Sequence, residues 1–315
     1  MADHFGDRLM AAIEKKGVAA CVGFDPLADR LPREIADKFH LTTGASASAV
    51  ADAFLEYGRT IIELIAPHVP VIKINIAFFE RYYADGVSAY LKLVKQAKDA
   101  GLVVIGDVKR ADIGHSTTQY AHAQLGNVES RGLEELAAPD AVTVNPYFGY
   151  DAIKPFVEIA RLQGKGMFVL VQTSNPSAVE VQGLLLDDGS KLCEGVGRVV
   201  QGWASGEGLI GASGYSSIGA VVSPRDLEST VRIRKAMPNC VFLVPGFGAQ
   251  GRTADEVAKC FKPDGGGALI TSSRGVIYAY QDDKRRAACG DDWQRCVEQG
   301  CLELVEAIRG VMPGR

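Results

Sequence analysis

Histidine and tryptophan are scarce in this chain of 315 residues, at five and two, and its seven cysteines are scattered. Cys21, Cys193, Cys240, Cys260, Cys289, Cys296 and Cys301 include no C-x-x-C pair, and no H-E-x-x-H pattern occurs. Their absence argues against a disulfide scaffold, a zinc finger or a structural metal, and for reduced thiols in a cytoplasmic protein. No apolar run reaches the roughly 20 residues that span a bilayer, so no membrane partner is expected. The opening MADHFGDRLMAAIEKKG has early acids and lacks the apolar centre of a secretory leader. Phe5, Leu9, Ala12 and Ile13 lie at helical spacing instead, which predicts a short amphipathic helix. Excess positive charge is missing too. A net charge of -4 offers no global field for a nucleic-acid polymer, so an anionic small ligand would rest on a few local cations.

What the chain does contain is a regular alternation of short β-rich runs and longer helical ones. Strands are predicted at 19–24, 71–76, 102–107, 141–144, 167–172, 217–222, 241–244 and 268–271. Helical spacing fills 49–66, 87–100, 152–160, 227–237 and 254–261 between them. Eight such units indicate an α/β fold, a (β/α)8 TIM barrel, rather than a doubly wound open sheet. Residues 26–48 and 176–215 exceed ordinary connections and read as insertions, with 191–203 helical inside the second. With no internal repeat and no clean boundary, 1–315 reads as one barrel domain.

The most informative run is GDVKRADIG, residues 106–114, at the end of the third predicted strand. Side chains alternate along a strand, so Asp107 and Lys109 are expected on one side and Val108 on the other. Asp112 follows where the strand gives way to a loop. Two carboxylates and an ammonium thus converge at the carboxyl end of a buried strand, where parallel α/β folds bind ligands. Lys73 interrupts the apolar VPVIKINIAFF and shares a face with Asn75, which in a barrel points inward. Asp25 closes the first strand in CVGFDP, as a turn former or as an acceptor for a sugar hydroxyl. Thr173 and Ser174 in QTSNP put hydroxyls at the same rim. His115 reads as a loop residue. The seventh and eighth units, FLVPGFGAQGRTADE and GGGALITSSRGVIYAY, place a glycine-rich loop with Gln250 beside Arg274 and Gly275. In barrels those two loops commonly hold a phosphate on exposed N–H groups, and Arg274 adds a bidentate donor.

VGFDP, VIKIN, GDVKRADIG, TVNPYFG, QTSNP, VPGFGAQG and SSRG occur in the order seen in orotidine 5′-phosphate decarboxylases. From about residue 25 to 280 the chain resembles the longer bacterial branch of that family. The resemblance implies decarboxylation of orotidine 5′-phosphate to uridine 5′-phosphate and CO2, the last step of de novo pyrimidine nucleotide synthesis, with no cofactor or metal. It implies a tetrad of Lys73, Asp107, Lys109 and Asp112, with Asp112 supplied by the partner subunit of a homodimer. Lys109 would stabilise and protonate the C6 carbanion. Asp25 would hold one ribose hydroxyl, and Asp112, Ile113 and Ser116 would lie at the other, Ser116 standing where threonine is usual and Thr117 following. Thr173 and Ser174 would face the pyrimidine with Asn75 nearby, Gln250 would bridge base and phosphate, and Arg274 and the Gly275 N–H would hold the phosphate. Magnesium-dependent sugar-phosphate decarboxylases or aldolases of the same superfamily share D-x-K-x-x-D, but carry an acid where this chain has Lys73. A non-catalytic barrel that binds a phosphate ligand would have no use for the paired lysines and acids.

Overall fold

In the computed structural model, which describes residues 3–41, 44–127, 133–247 and 253–313, eight parallel strands close into a barrel in chain order. They are β1 (Ala20–Phe24), β2 (Val71–Asn75), β3 (Val103–Arg110), β4 (Ala141–Val144), β5 (Gly166–Gln172), β6 (Ile218–Val222), β7 (Phe242–Val244) and β8 (Ala268–Ser272). Each is covered by barrel interior on one side and helices on the other, so both faces are apolar and the sequence shows continuous runs of Val, Ile and Leu.

Helix α1 (Phe5–Lys16) precedes the barrel, and α2 (Arg33–Lys38) and α3 (Ala47–Ile65) lie between β1 and β2. Next come α4 (Ala77–Glu80) and α5 (Tyr83–Asp99) after β2, α6 (Gly114–Gln124) after β3, and α7 (Tyr150–Gln163) after β4. The β5–β6 connection holds α8 (Ala178–Gln182) and α9 (Leu192–Ala204). Then follow α10 (Leu227–Ala236), α11 (Ala254–Ala258), α12 (Arg274–Ile277), α13 (Asp283–Cys289) and α14 (Trp293–Arg309). The (β/α)8 class expected from periodicity is therefore the observed one. Strand ends agree within a residue except at β3, which runs three residues further, for a reason that lies in the site. Helix α6 escaped the pattern because little of it is buried, only Thr117 and Ala121. Helix α14 escaped it too, although Trp293, Val297, Cys301, Leu304 and Ile308 form one buried stripe.

Both long connections carry secondary structure among the described residues. Residues 26–48 include a 3-10 turn at Ala28–Arg30 and α2, fastened to the far end of the chain. Trp293 Nε1 donates to Glu34 at 2.6 Å, Tyr280 Oη donates to the Arg30 carbonyl at 2.5 Å, and the Arg30 guanidinium stacks 4.4 Å above the Tyr278 ring. Within 176–215, α9 is the crossover helix, and Lys191 pairs with Asp226 ahead of α10.

At the amino end of the barrel Asp140 collects cations. Its carboxylate accepts from Arg8 at 3.1 Å, from Lys98 at 3.2 Å and from the Val104 N–H at 3.0 Å. Lys165, buried beside them, donates to the Pro139 carbonyl at 2.8 Å. Burial, and next the neighbouring Lys98 charge, push the Lys165 ammonium down to about 7.

Candidate active site

The site begins with an irregularity in β3. Gly106 pairs with Val142 and Arg110 with Val144, so Asp107, Val108 and Lys109 all face the single β4 residue Thr143. The surplus bulges out of the ladder. Lys109 takes φ +45°, a left-handed conformation that costs a non-glycine residue about 1–2 kcal/mol. Simple alternation would put Asp107 and Lys109 on one side. They do share the cavity, but the bulge and not an ideal strand turns Lys109 inward, so the expected reason is corrected. The added residues also explain why β3 overruns its predicted end.

Charges then chain across the rim. Lys73 Nζ donates to Asp107 Oδ2 at 2.6 Å and lies 3.8 Å from Asp25 Oδ1, while Lys109 Nζ donates to Asp107 Oδ1. Register sets this up: on adjacent strands Asn75 stands opposite Asp107, and Lys73 stands opposite Gly23. Burial alone would raise the Asp107 carboxyl, but the Lys73 and then the Lys109 ammonium outweigh it, and the group is held well below the usual carboxylate range. Burial alone would lower Lys73; Asp107 and Asp25 reverse that and hold it above an ordinary lysine. Asp107 and Lys73 are therefore both ionised at neutral pH. Asp25 Oδ1 is buried without a hydrogen bond among the described residues, so this carboxylate has capacity for a donor from a ligand.

Glycine at position 23 leaves room for the side chain that follows β8: a Cβ there would lie 2.0 Å from Ser273 Oγ. The Asp25 loop is also tied to the eighth unit, because Tyr278 Oη accepts from the Leu27 N–H at 2.7 Å and donates to the Asp25 carbonyl at 3.1 Å. Ser272 Oγ reaches the Phe247 carbonyl at 3.3 Å and links the seventh and eighth loops. Arg274 and Gly275 open α12 at this rim, with the Arg274 side chain exposed.

A cavity of about 240 Å³ joins these groups. Asp25, Lys73, Asn75, Asp107 and Lys109 line its polar side, and Leu170, Val221, Leu243 and Pro245 its apolar side. Thr173, Ser174 and Arg274 complete the rim. The fifth loop is pinned: Arg225 donates to the Pro176 carbonyl at 2.6 Å, and Gln182 brackets Thr173, accepting from its N–H at 2.9 Å and donating to its Oγ1 at 2.7 Å.

Other expected site residues lie elsewhere. Asp112, Ile113 and Ser116 do not line the cavity of their own chain. Asp112 accepts from the Ile113 N–H at 2.8 Å, Ile113 is 58% exposed, and Ser116 and His115 are exposed on the first turn of α6. His115 is thus helical rather than in a loop. Thr117 is buried and donates to the Ala152 carbonyl at 2.6 Å, which leaves Ser116 as the outward hydroxyl of the two. Gln250 lies outside the described residues. Sequence reasoning passed over Thr143 and Tyr278. The available signals were a lone hydroxyl in the apolar AVTV run and a tyrosine just past SSRG.

A closed parallel barrel whose carboxyl rim presents paired lysines and aspartates against an apolar wall defines a (β/α)8-barrel enzyme that acts on a small ligand. Comparison with known proteins narrows the class. Residues 21–288 match the model of the orotidine 5′-phosphate decarboxylase / HUMPS family. The orotidine 5′-phosphate decarboxylase of Rhodopirellula baltica is 37% identical over 307 residues, covering 97% of this chain and 99% of the relative. That of Caldicellulosiruptor saccharolyticus is 38% identical over 280 residues, covering 89% and 91%. The solved OMP decarboxylase of Leishmania donovani superposes with a TM-score of 0.72 at 28% identity, covering 98% of both chains. The chain belongs to the orotidine 5′-phosphate decarboxylase / HUMPS family.

Proposed function

We propose that this chain decarboxylates orotidine 5′-phosphate to uridine 5′-phosphate and CO2, closing de novo pyrimidine nucleotide synthesis. The observation that carries the reading is the Asp25–Lys73–Asp107–Lys109 chain of alternating charge at one barrel rim. Loss of CO2 breaks the bond at C6 and leaves its electron pair in the ring plane, outside the π system. Lys109 stabilises that pair as it forms and delivers an Nζ proton to C6; the neutral amine then regains a proton from solvent. Charge fixed before the reaction costs no reorganisation during it. Asp107, held by Lys73, orients Lys109 and stands beside the departing carboxylate.

In the same reading Asp25 Oδ1 takes a ribose hydroxyl, and Thr173, Ser174 and Asn75 face the pyrimidine against Leu170 and Val221. Arg274, the Gly275 N–H and Gln250 hold the phosphate, whose binding energy is used to lower the barrier at C6. Asp112, with Ile113 and Ser116, serves the partner's site in a homodimer. Supporting this, large apolar side chains are exposed on the segments after three consecutive strands: Tyr83 at the start of α5 after β2, Ile113 after β3, and Tyr147 and Phe148 after β4. The enzyme would work in the cytoplasm as one barrel domain, with 26–48 and 176–215 as its elaborations.

The magnesium-dependent sugar-phosphate alternative is disfavoured by Lys73, whose ammonium lies 2.6 Å from Asp107 where that chemistry would seat a divalent ion. The test is incubation with orotidine 5′-phosphate and a chelator while following the ultraviolet absorbance of the base. Full turnover is expected. Turnover lost on chelation and restored by Mg²⁺ would move the assignment to the sugar-phosphate enzymes.

A further inference from the structure

Thr143 is 1% exposed in the middle of β4, and its hydroxyl makes every bond a hydroxyl can make. Oγ1 donates to Asp107 Oδ1 at 2.9 Å and accepts from the N–H groups of Val108 and Lys109, both at 3.0 Å. Ladder partners for those two amides are missing because three β3 residues oppose one β4 residue. The side chain supplies what the β4 backbone cannot. The same oxygen thereby touches both the amide of the strained Lys109 and the carboxylate that receives its ammonium.

We propose that Thr143 is the positioning residue of the site: its hydroxyl clamps the β3 bulge and so aims Lys109 Nζ and Asp107 together. The inference rests on Lys109 being the proton donor of the proposed decarboxylation. Without the hydroxyl, the buried Val108 N–H and the half-buried Lys109 N–H lose their acceptor, and the backbone bond that holds Lys109 at positive φ is gone. The backbone relaxes toward an ordinary strand and Nζ swings away from C6. A displacement of about 1 Å at a reacting group is worth about 100-fold in rate. Of the proposed phosphate and ribose contacts, Asp25 follows β1, Gln250 follows β7, and Arg274 and Gly275 follow β8; only Asp112, Ile113 and Ser116 follow β3, so ligand affinity should change far less than kcat.

Thr143→Val keeps the shape and removes the hydroxyl, whereas Thr143→Ser keeps the hydroxyl. For Thr143→Val the expectation is kcat down by about 100-fold, with KM and the Kd for uridine 5′-phosphate within about threefold of wild type. Thr143→Ser should restore kcat to within about fivefold. Amide hydrogen exchange supplies a readout that does not need turnover: protection at Val108 and Lys109 should fall in Thr143→Val and persist in Thr143→Ser. Unchanged kcat, unchanged protection, or equal losses of kcat and affinity in both variants would each overturn the inference. Should Thr143→Val fail to fold, Thr143→Ala is read by the same measurements. If neither folds while Thr143→Ser does, the hydroxyl serves stability and the inference fails. Should the wild-type chain not turn over orotidine 5′-phosphate, the proposed function fails, and the exchange data still decide whether the clamp exists.

Discussion

Lys73→Met is the most demanding test of the charged chain. Methionine nearly conserves volume, so the perturbation is electrostatic rather than a cavity. It removes the ammonium 2.6 Å from Asp107 Oδ2 and 3.8 Å from Asp25 Oδ1. Deleting one member of a buried ion pair costs about 3–5 kcal/mol because the survivor is stranded. Here Asp107 keeps Lys109 and Thr143, which argues for the lower end, about 3 kcal/mol. The pH dependence follows from two opposite shifts. Lys73 is raised above its unfolded value, so its contribution is complete below about pH 10 and is lost as pH climbs through the folded value. Asp107 is lowered, so its contribution is complete above about pH 4 and is lost as pH falls through the folded value. The stability gap between wild type and Lys73→Met should therefore stay level from about pH 5 to pH 9. Urea unfolding followed by tryptophan fluorescence measures that gap, and initial rates on orotidine 5′-phosphate measure the catalytic loss, expected to exceed about 100-fold. A gap below about 1 kcal/mol, the size of an exposed ion pair, or one that swings within that pH range would refute the reasoning.

Three further outcomes are expected. Arg274→Ala should weaken the phosphorylated substrate by about 10- to 100-fold, the worth of a charge-assisted bond, and leave the weak turnover of the unphosphorylated nucleoside almost unchanged; equal losses on both would make Arg274 structural. Lys109→Ala and Asp112→Ala homodimers should each be nearly inactive, yet mixing them with subunit exchange should restore up to about half of the sites in each heterodimer; verified heterodimers without recovery would confine Asp112 to its own chain. Lys165 is depressed to about 7, so its folded form sheds a proton that the unfolded chain keeps, and wild type should gain about 2–3 kcal/mol relative to Lys165→Met between pH 7 and pH 9; comparison of urea midpoints checks this, and a gap that shrinks with rising pH would contradict it.

Most of the site was legible because its residues announce themselves against a buried background. Lys73 stands in an apolar strand, and D-x-K-x-x-D clusters charge at a strand end. Period-2 and period-3.6 patterns report which face of an element is buried, and that is a local property. Helix α6 shows the limit. Its exposed face carries Ser116 and its buried residues are few, so no stripe forms.

By itself, then, the chain determined an eight-unit α/β barrel with a charged carboxyl rim, since alternation of buried strands and helices admits few other closures. It also determined the identity of the titratable groups at that rim. Tertiary structure alone decided their connectivity. Whether Lys73 meets Asp107, whether β3 bulges opposite Thr143, and whether Tyr278 bridges back to the Asp25 loop depend on register between strands and on residues more than 30 positions apart. No single strand's pattern encodes that register. A bulge adds residues without disturbing the hydrophobic period on either side of it, so it becomes visible only when the neighbouring strand is in place.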